Sequence, residues 1–182
     1  MDVQNDFCEG GSLAIAGGAR VARAISGYLA SPEGGGYAHI VATQDHHVDP
    51  GRHFAADPNF VNTWPAHCVA GTPGADFHPA LDTSQIEAVF RKGARSAAYS
   101  GFEGSDSGGM PLAAWLRERG VTGVDIAGLA TDHCVRATAT DAATAGFATR
   151  VLLDLTAGVA ADTVEAALGE MRTAGVELLA SG

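Results

Sequence analysis

Apolar and polar residues alternate along this chain with two different periods. Short apolar runs at His39–Thr43, Glu87–Phe90, Val124–Leu129, Arg150–Leu155 and Val176–Leu179 end in glycine or polar residues, which predicts buried strands. Between them, apolar positions recur at helical spacing over Gly18–Ala30, Pro111–Arg119, His133–Ala145 and Asp162–Ala174, which predicts four helices. Asp162 and Glu165 stand three apart at the start of the last helix, the spacing of a capping box. Gly120, Gly146 and Gly175 follow three of the helical runs, where a left-handed residue is wanted. The glycine-rich stretches Pro32–Gly36 and Gly104–Gly109 read as loops within a single domain over residues 1–182. Strand–helix alternation of this kind predicts an α/β fold of three layers, a mostly parallel sheet with helices on both faces. Ligands of such sheets bind at the carboxyl ends of the strands.

Composition narrows the class. The chain has 182 residues, 46% hydrophobic and 18% charged, which is enough apolar material for a core and too little charge for a disordered chain. A formal net charge of -10 repels phosphate backbones and argues against a nucleic-acid partner. No apolar run approaches the roughly 20 residues that a membrane span needs. No basic start leads into an apolar stretch, so no signal peptide is visible and the cytoplasm is the expected location. Cys8, Cys68 and Cys134 are odd in number and far apart, the usage of a reducing compartment rather than of a disulfide framework. The oligomeric state is not readable from the sequence, which is compatible with a monomer.

Candidate chemistry gathers at the predicted strand ends. Cys134 follows the Val124–Leu129 strand and falls in the first turn of a helix, where free N–H groups and the helix dipole favour a thiolate and could hold an oxyanion. A free cysteine is also a common small core residue, and position alone leaves both readings open. Asp45 and His47 follow the first strand and, two apart in extended chain, point to one side; His46 between them faces away. His53 and His67 lie in the loop beyond. One carboxylate and several imidazoles suit Zn²⁺, Fe²⁺ or Mn²⁺, although histidines are also ordinary in surface loops. Lys92, the single lysine, ends the second strand run, and could hold a carboxylate or be a solvated surface cation. Asp2, near the start, could take a proton from a thiol or be an unremarkable terminal acid.

Together, Asp2-Val3-Gln4-Asn5-Asp6-Phe7, then Asp45-x-His47, then Lys92, then Ala130-Thr131-Asp132-His133-Cys134-Val135 resemble the nicotinamidase branch of the isochorismatase-like cysteine hydrolases, most closely its mycobacterial and actinobacterial members. Trp64-Pro65-x-His67-Cys68-Val69, Gly71–Pro79 and Ala98–Gly104 extend the resemblance over almost the whole chain. It implies hydrolysis of nicotinamide to nicotinate and ammonia through a cysteine thioester, in NAD salvage, with pyrazinamide as a second substrate. It implies an Asp–Lys–Cys triad at Asp2, Lys92 and Cys134, and one divalent metal (Fe, Zn or Mn) on Asp45, His47, His53 and His67. It further implies an oxyanion hole from the backbone N–H groups of Ala130 and Cys134, with a cis peptide before Ala130. Phe7, Trp64, Tyr99, Leu129 and His133 would contact a flat pyridine ring.

The chain departs from the family at its start. Members of the family carry about six apolar residues, a central strand, before the aspartate that matches Asp2. Here Met1-Asp2 opens the sequence, so this strand is expected to be missing, two strand edges to be exposed, and Asp2 to lie on a frayed terminus. A misassigned start is the favoured explanation, and a catalytically impaired, nicotinamide-binding truncation the other. Isochorismatases lack the cysteine, and carbamoyl-amide hydrolases lack the Asp/His set. A metallohydrolase with a structural Cys134 remains a rival that thiol alkylation would separate.

Overall fold

The computed structural model describes residues 1–182. Five parallel strands are ordered as β1 (Val41–Asp45), β2 (Ala88–Lys92), β3 (Gly123–Leu129), β4 (Ala148–Ala157) and β5 (Glu177–Leu179). Four helices accompany them: α1 (Gly18–Leu29), α2 (Leu112–Glu118), α3 (Arg136–Thr144) and α4 (Ala161–Thr173). Consecutive residues of β4 show the layering. Val151 packs with Val135, Ala139, Ala142 and Met171 beneath α3 and α4, whereas Leu152 packs with Val21, Ala22 and Ile25 of α1. Adjacent strand side chains point to opposite faces, so the sheet is covered on both, as its apolar runs predict.

The sheet is divided. β1 pairs only with β2, and β3–β4–β5 form a second sheet. Between the facing edges of β1 and β3 lies a cavity of about 920 Å³ lined by both strands and by Met1–Val3. The two sheets thus leave a slot where the central strand was expected to be missing. At its carboxyl end the first two residues close it. Met1 N donates to Ala127 O at 2.7 Å, Leu129 N donates to Met1 O at 3.0 Å, and Asp2 N reaches Thr43 O at 3.3 Å. The approach is so close that a Cβ on Gly128 (φ +118°) would stand 2.0 Å from Met1 O. Asp2 is not frayed, contrary to expectation. It is 1% exposed, because these backbone bonds and the Thr43 hydroxyl hold it across the gap.

Three sequence expectations need correction. β1 covers residues 41–45 rather than 39–43; its polar Thr43 and Asp45 are buried by the site they serve and Gln44 donates to Ala75 O, so hydrophobicity ends the run too early. The helix read over His133–Ala145 begins as a π-helical turn, Thr131–Val135, before α3. The capping box at α4 does not form: the N-cap is Ala160, with no side-chain cap of its own. The buried Asp132 carboxylate, from the neighbouring turn, accepts the N–H groups of Val159 and Ala160 instead. Gly120, Gly146 and Gly175 all have positive φ at helix ends, as read.

Candidate active site

The carboxyl ends of β1, β2 and β3 converge on one polar cluster. Asp45 and Lys92 are the last rung of the β1–β2 ladder, so their side chains leave the same sheet edge together. Lys92 Nζ lies 2.9 Å from Asp2 Oδ2 and 3.6 Å from Cys134 Sγ, and it also donates to Asp45 Oδ1. One ammonium thus holds two carboxylates and faces the thiol. All four groups are buried. Burial alone would push the Lys92 ammonium down, but Asp2 and Asp45 beside it hold it well above its usual range. Burial disfavours the Asp45 anion, yet the Lys92 ammonium beside it keeps its carboxyl well below the usual carboxylate range.

Cys134 lies in the π-helical turn after β3, and the Leu129–Ala130 peptide before that turn is cis. The helix-start argument favoured a thiolate. Burial instead pushes the Cys134 thiol well above its ordinary value, with the Asp2 and Asp45 carboxylates adding to the rise and only Lys92 opposing it. At rest the sulfur keeps its proton, and a base must remove it. Asp2 is in place: its carboxylate oxygen, one from Asp45 and the Cys134 sulfur lie within 4.8 Å of one another.

The histidines form an adjoining cluster. His47, His53 and His67 each bring a ring nitrogen within 4.8 Å of the others. His47 Nδ1 is 2.6 Å from Gly93 O, and His67 Nδ1 is 2.8 Å from Pro65 O. A carbonyl only accepts, so both Nδ1 atoms carry the proton and both Nε2 lone pairs are left free. Those Nε2 atoms point at Asp45 Oδ2 from 3.6 and 3.8 Å. His47 Nε2 and His53 Nδ1 are buried without any hydrogen-bond partner. Buried orphaned nitrogens are costly unless something binds them. Burial, followed by the neighbouring His47 and His67, pushes His53 down to about 4, so its ring is neutral and able to ligate. Three imidazoles and one carboxylate, oriented by backbone carbonyls, fit a divalent metal ion. His46 is half-buried and outside the cluster.

Between Cys134 and the histidines is a narrow pocket walled by Phe7, Trp64, Tyr99 and His133. Trp64 Nε1 donates to the Tyr99 hydroxyl at 3.0 Å, and the Tyr99 and His133 rings stack at 27°. Such walls suit a flat aromatic ring. Leu129, expected among them, is fully buried in the core against α1 and contributes no wall. Ala130 reaches the pocket in its place. Several participants escaped the sequence reading. Gln4 clamps Asp45 by accepting its N–H at 2.9 Å and donating to its carbonyl at 2.8 Å. Thr43 Oγ1 donates to Asp2 at 2.5 Å. Leu13, Ala14, Ile15 and Val159 complete the walls. Only Gln4 left a trace, as a polar residue between motif positions. Cys8 and Cys68 are buried outside the cluster, and burial raises both thiols, Cys8 to about 11.

Comparison with known proteins agrees with this geometry. A family model described as an isochorismatase domain matches residues 1–181. A nicotinamidase/pyrazinamidase of Mycobacterium tuberculosis is 67% identical over 181 residues, covering 100% of this chain and 96% of that protein. The structure of L. infantum PnC1 in complex with nicotinate superposes with a TM-score of 0.86 at 37% identity, over 99% of this chain and 89% of that one. The pyrazinamidase of Pyrococcus horikoshii in complex with zinc gives 0.82 at 36% identity, over 98% and 95%. The chain belongs to the isochorismatase family, and its polar cluster is the candidate active centre of that fold.

Proposed function

We propose that this protein is an amidohydrolase that converts nicotinamide to nicotinate and ammonia in NAD salvage, and that it accepts pyrazinamide as well. The observation that carries this is a buried thiol, ammonium and carboxylate converging at the foot of an aromatic pocket whose other side is a metal-type Asp/His cluster. The 67% identity to a nicotinamidase/pyrazinamidase supports the substrate.

The reaction follows from the positions of the groups. Asp2 takes the proton of Cys134 as the sulfur attacks the carboxamide carbon. Lys92, facing both groups, offsets the charge left on them. The oxyanion of the tetrahedral intermediate is held by the backbone N–H groups of Ala130 and Cys134. Asp2 returns its proton to the nitrogen, the carbon–nitrogen bond breaks and ammonia leaves. Water then attacks the thioester, Asp2 takes the water's proton and restores it to the departing sulfur, and nicotinate is released. Phe7, Trp64, Tyr99 and His133 hold the ring meanwhile. Asp45, His47, His53 and His67 would hold the divalent ion, Zn²⁺, Fe²⁺ or Mn²⁺, which supplies a Lewis-acidic contact for the ring nitrogen of the substrate.

The test is ammonia release from nicotinamide by metal-loaded and chelator-stripped protein, with circular dichroism on the same samples. Release that is lost on chelation, restored by metal and absent in Cys134→Ala is expected. A folded Cys134→Ala variant with wild-type turnover would make the thiol structural and sink the mechanism.

A further inference from the structure

Asp132 is a buried carboxylate with no place in the reaction described above; it is 4% exposed. Its oxygens accept the N–H of Val159 at 3.0 and 3.1 Å and the N–H of Ala160 at 3.3 Å. The Thr163 hydroxyl donates to it at 2.5 Å. These donors all belong to the β4–α4 connection and the first turn of α4. Asp132 itself stands in the turn that bears Cys134, two residues before it. The fit is tight, since a Cβ on Gly158 would meet Val164 Cγ2 at 2.1 Å and Asp132 Oδ1 at 3.2 Å.

Val159 lines the same pocket as Cys134 yet is 49% exposed. A half-exposed side chain is not positioned by core packing, and its place in the pocket wall is set by its backbone. That backbone is held by Asp132. We infer that Asp132 is a positioning residue that latches the Val159 side of the pocket wall to the nucleophile turn, and so fixes how tightly the pocket closes on an aromatic amide. The inference rests on the amidohydrolase reading for its substrate, but the latch itself is independent of it. Charge placement agrees: a carboxylate at the start of a 13-residue helix satisfies free N–H groups and faces the positive end of the dipole.

The latch predicts a split between binding and chemistry. In Asp132→Ala, KM for nicotinamide should rise about tenfold while kcat changes by no more than about threefold, because ground-state contact is lost and the reacting groups are untouched. Val159→Ala should raise KM in the same direction, and the double variant should be no worse than the more severe single one, since both remove one interaction. Asp132→Asn, which keeps one accepting oxygen, should fall between wild type and Asp132→Ala. Alkylation of Cys134 by iodoacetamide should be no slower than in wild type, because the nucleophile and its base are left in place. An unchanged KM, a fall confined to kcat, or KM effects that multiply in the double variant would overturn the inference. If Asp132→Ala does not fold, Asp132→Asn and Thr163→Val decide in its place, each by a smaller rise in KM or by none. Amide exchange at Val159 and Ala160 reads the latch without turnover: it should quicken about tenfold or more in the Asp132 variants while the β4 amides keep theirs, and unchanged exchange overturns it. Wild-type protein that releases no ammonia yet shows this exchange pattern would sink the amidase reading and leave the latch standing.

Discussion

At the residue scale, the site is organised by one cation. Lys92 neutralises Asp2 and Asp45 at once, in a setting where neither carboxylate meets water. Replacing it by methionine preserves volume and leaves two anions buried together. Removing one partner of a buried ion pair costs about 3–5 kcal/mol, and Lys92→Met should lose about that much in denaturant unfolding of chelator-stripped protein at neutral pH. The pH dependence has a definite sign. Asp45, held low in the fold, contributes stability that is present above the ordinary carboxylate range and lost as pH falls through its folded value. Lys92, held high, contributes stability that is present below the ordinary lysine range and lost only as pH rises through its folded value. The gap between wild type and Lys92→Met should thus be widest between about pH 5 and 9 and narrow toward acid. A gap that does not vary with pH would mean that the lysine acts by packing alone. Sequence reading brought Lys92 to notice as the single lysine at a strand end, but no spacing could reveal that two acids, 43 residues apart in number, meet on it. The thiol was misjudged for a related reason. A helix start is visible in a sequence, whereas full burial among carboxylates is a property of the fold.

At the element scale, strand ends and the turns after them set the geometry. Gly93 follows Lys92 at φ +77°, and a Cβ there would lie 2.5 Å from His47 Cε1 and 2.9 Å from its Nδ1. Its carbonyl also fixes the His47 tautomer. Gly93→Ala should therefore cost about 1–2 kcal/mol in backbone conformation alone. It should also weaken metal binding roughly tenfold or more by turning the His47 ring. Metal titration of the variant is the check, and wild-type affinity would show that the ring does not depend on this carbonyl. Strand and helix existence was legible because apolar periodicity reports burial directly; the edges were not. β1 extends through three polar residues because the site buries Thr43 and Asp45 and the Ala75 carbonyl holds Gln44, and α4 takes its cap from Asp132, a residue about thirty positions away that no local pattern could supply. Glu165→Ala, which would break a capping box, should accordingly shift unfolding by less than about 0.5 kcal/mol.

At the scale of the whole molecule, the slot is the feature that local reading and structure describe together. A two-stranded and a three-stranded parallel sheet face each other across about 920 Å³, joined at one end by Met1 and Asp2. Parallel sheets in α/β folds have both faces covered and their interior strands paired on both sides; here two interior edges face a mostly apolar slot and leave backbone groups without ladder partners. Met1 and Asp2 already make the bonds that the carboxyl end of an intervening strand would make, to Ala127 and Leu129 on one side and Thr43 on the other. An extended apolar segment of about six residues joined ahead of Met1 would thus enter in parallel register and turn the two sheets into one, with β1 and β3 as its neighbours. Its side chains would fill the void from both faces, and its amides would satisfy both edges. Such a variant should melt several degrees higher and should hydrolyse nicotinamide faster, because Asp2 would then be held by a full ladder of strand bonds instead of the few that Met1 and Asp2 make. A six-residue extension containing two prolines is the control, since it adds length without ladder donors. Equal melting temperatures and equal turnover for the apolar and proline-bearing extensions would show that Met1 and Asp2 alone hold the base as firmly as a full strand, and that the slot is tolerated at no cost to the site.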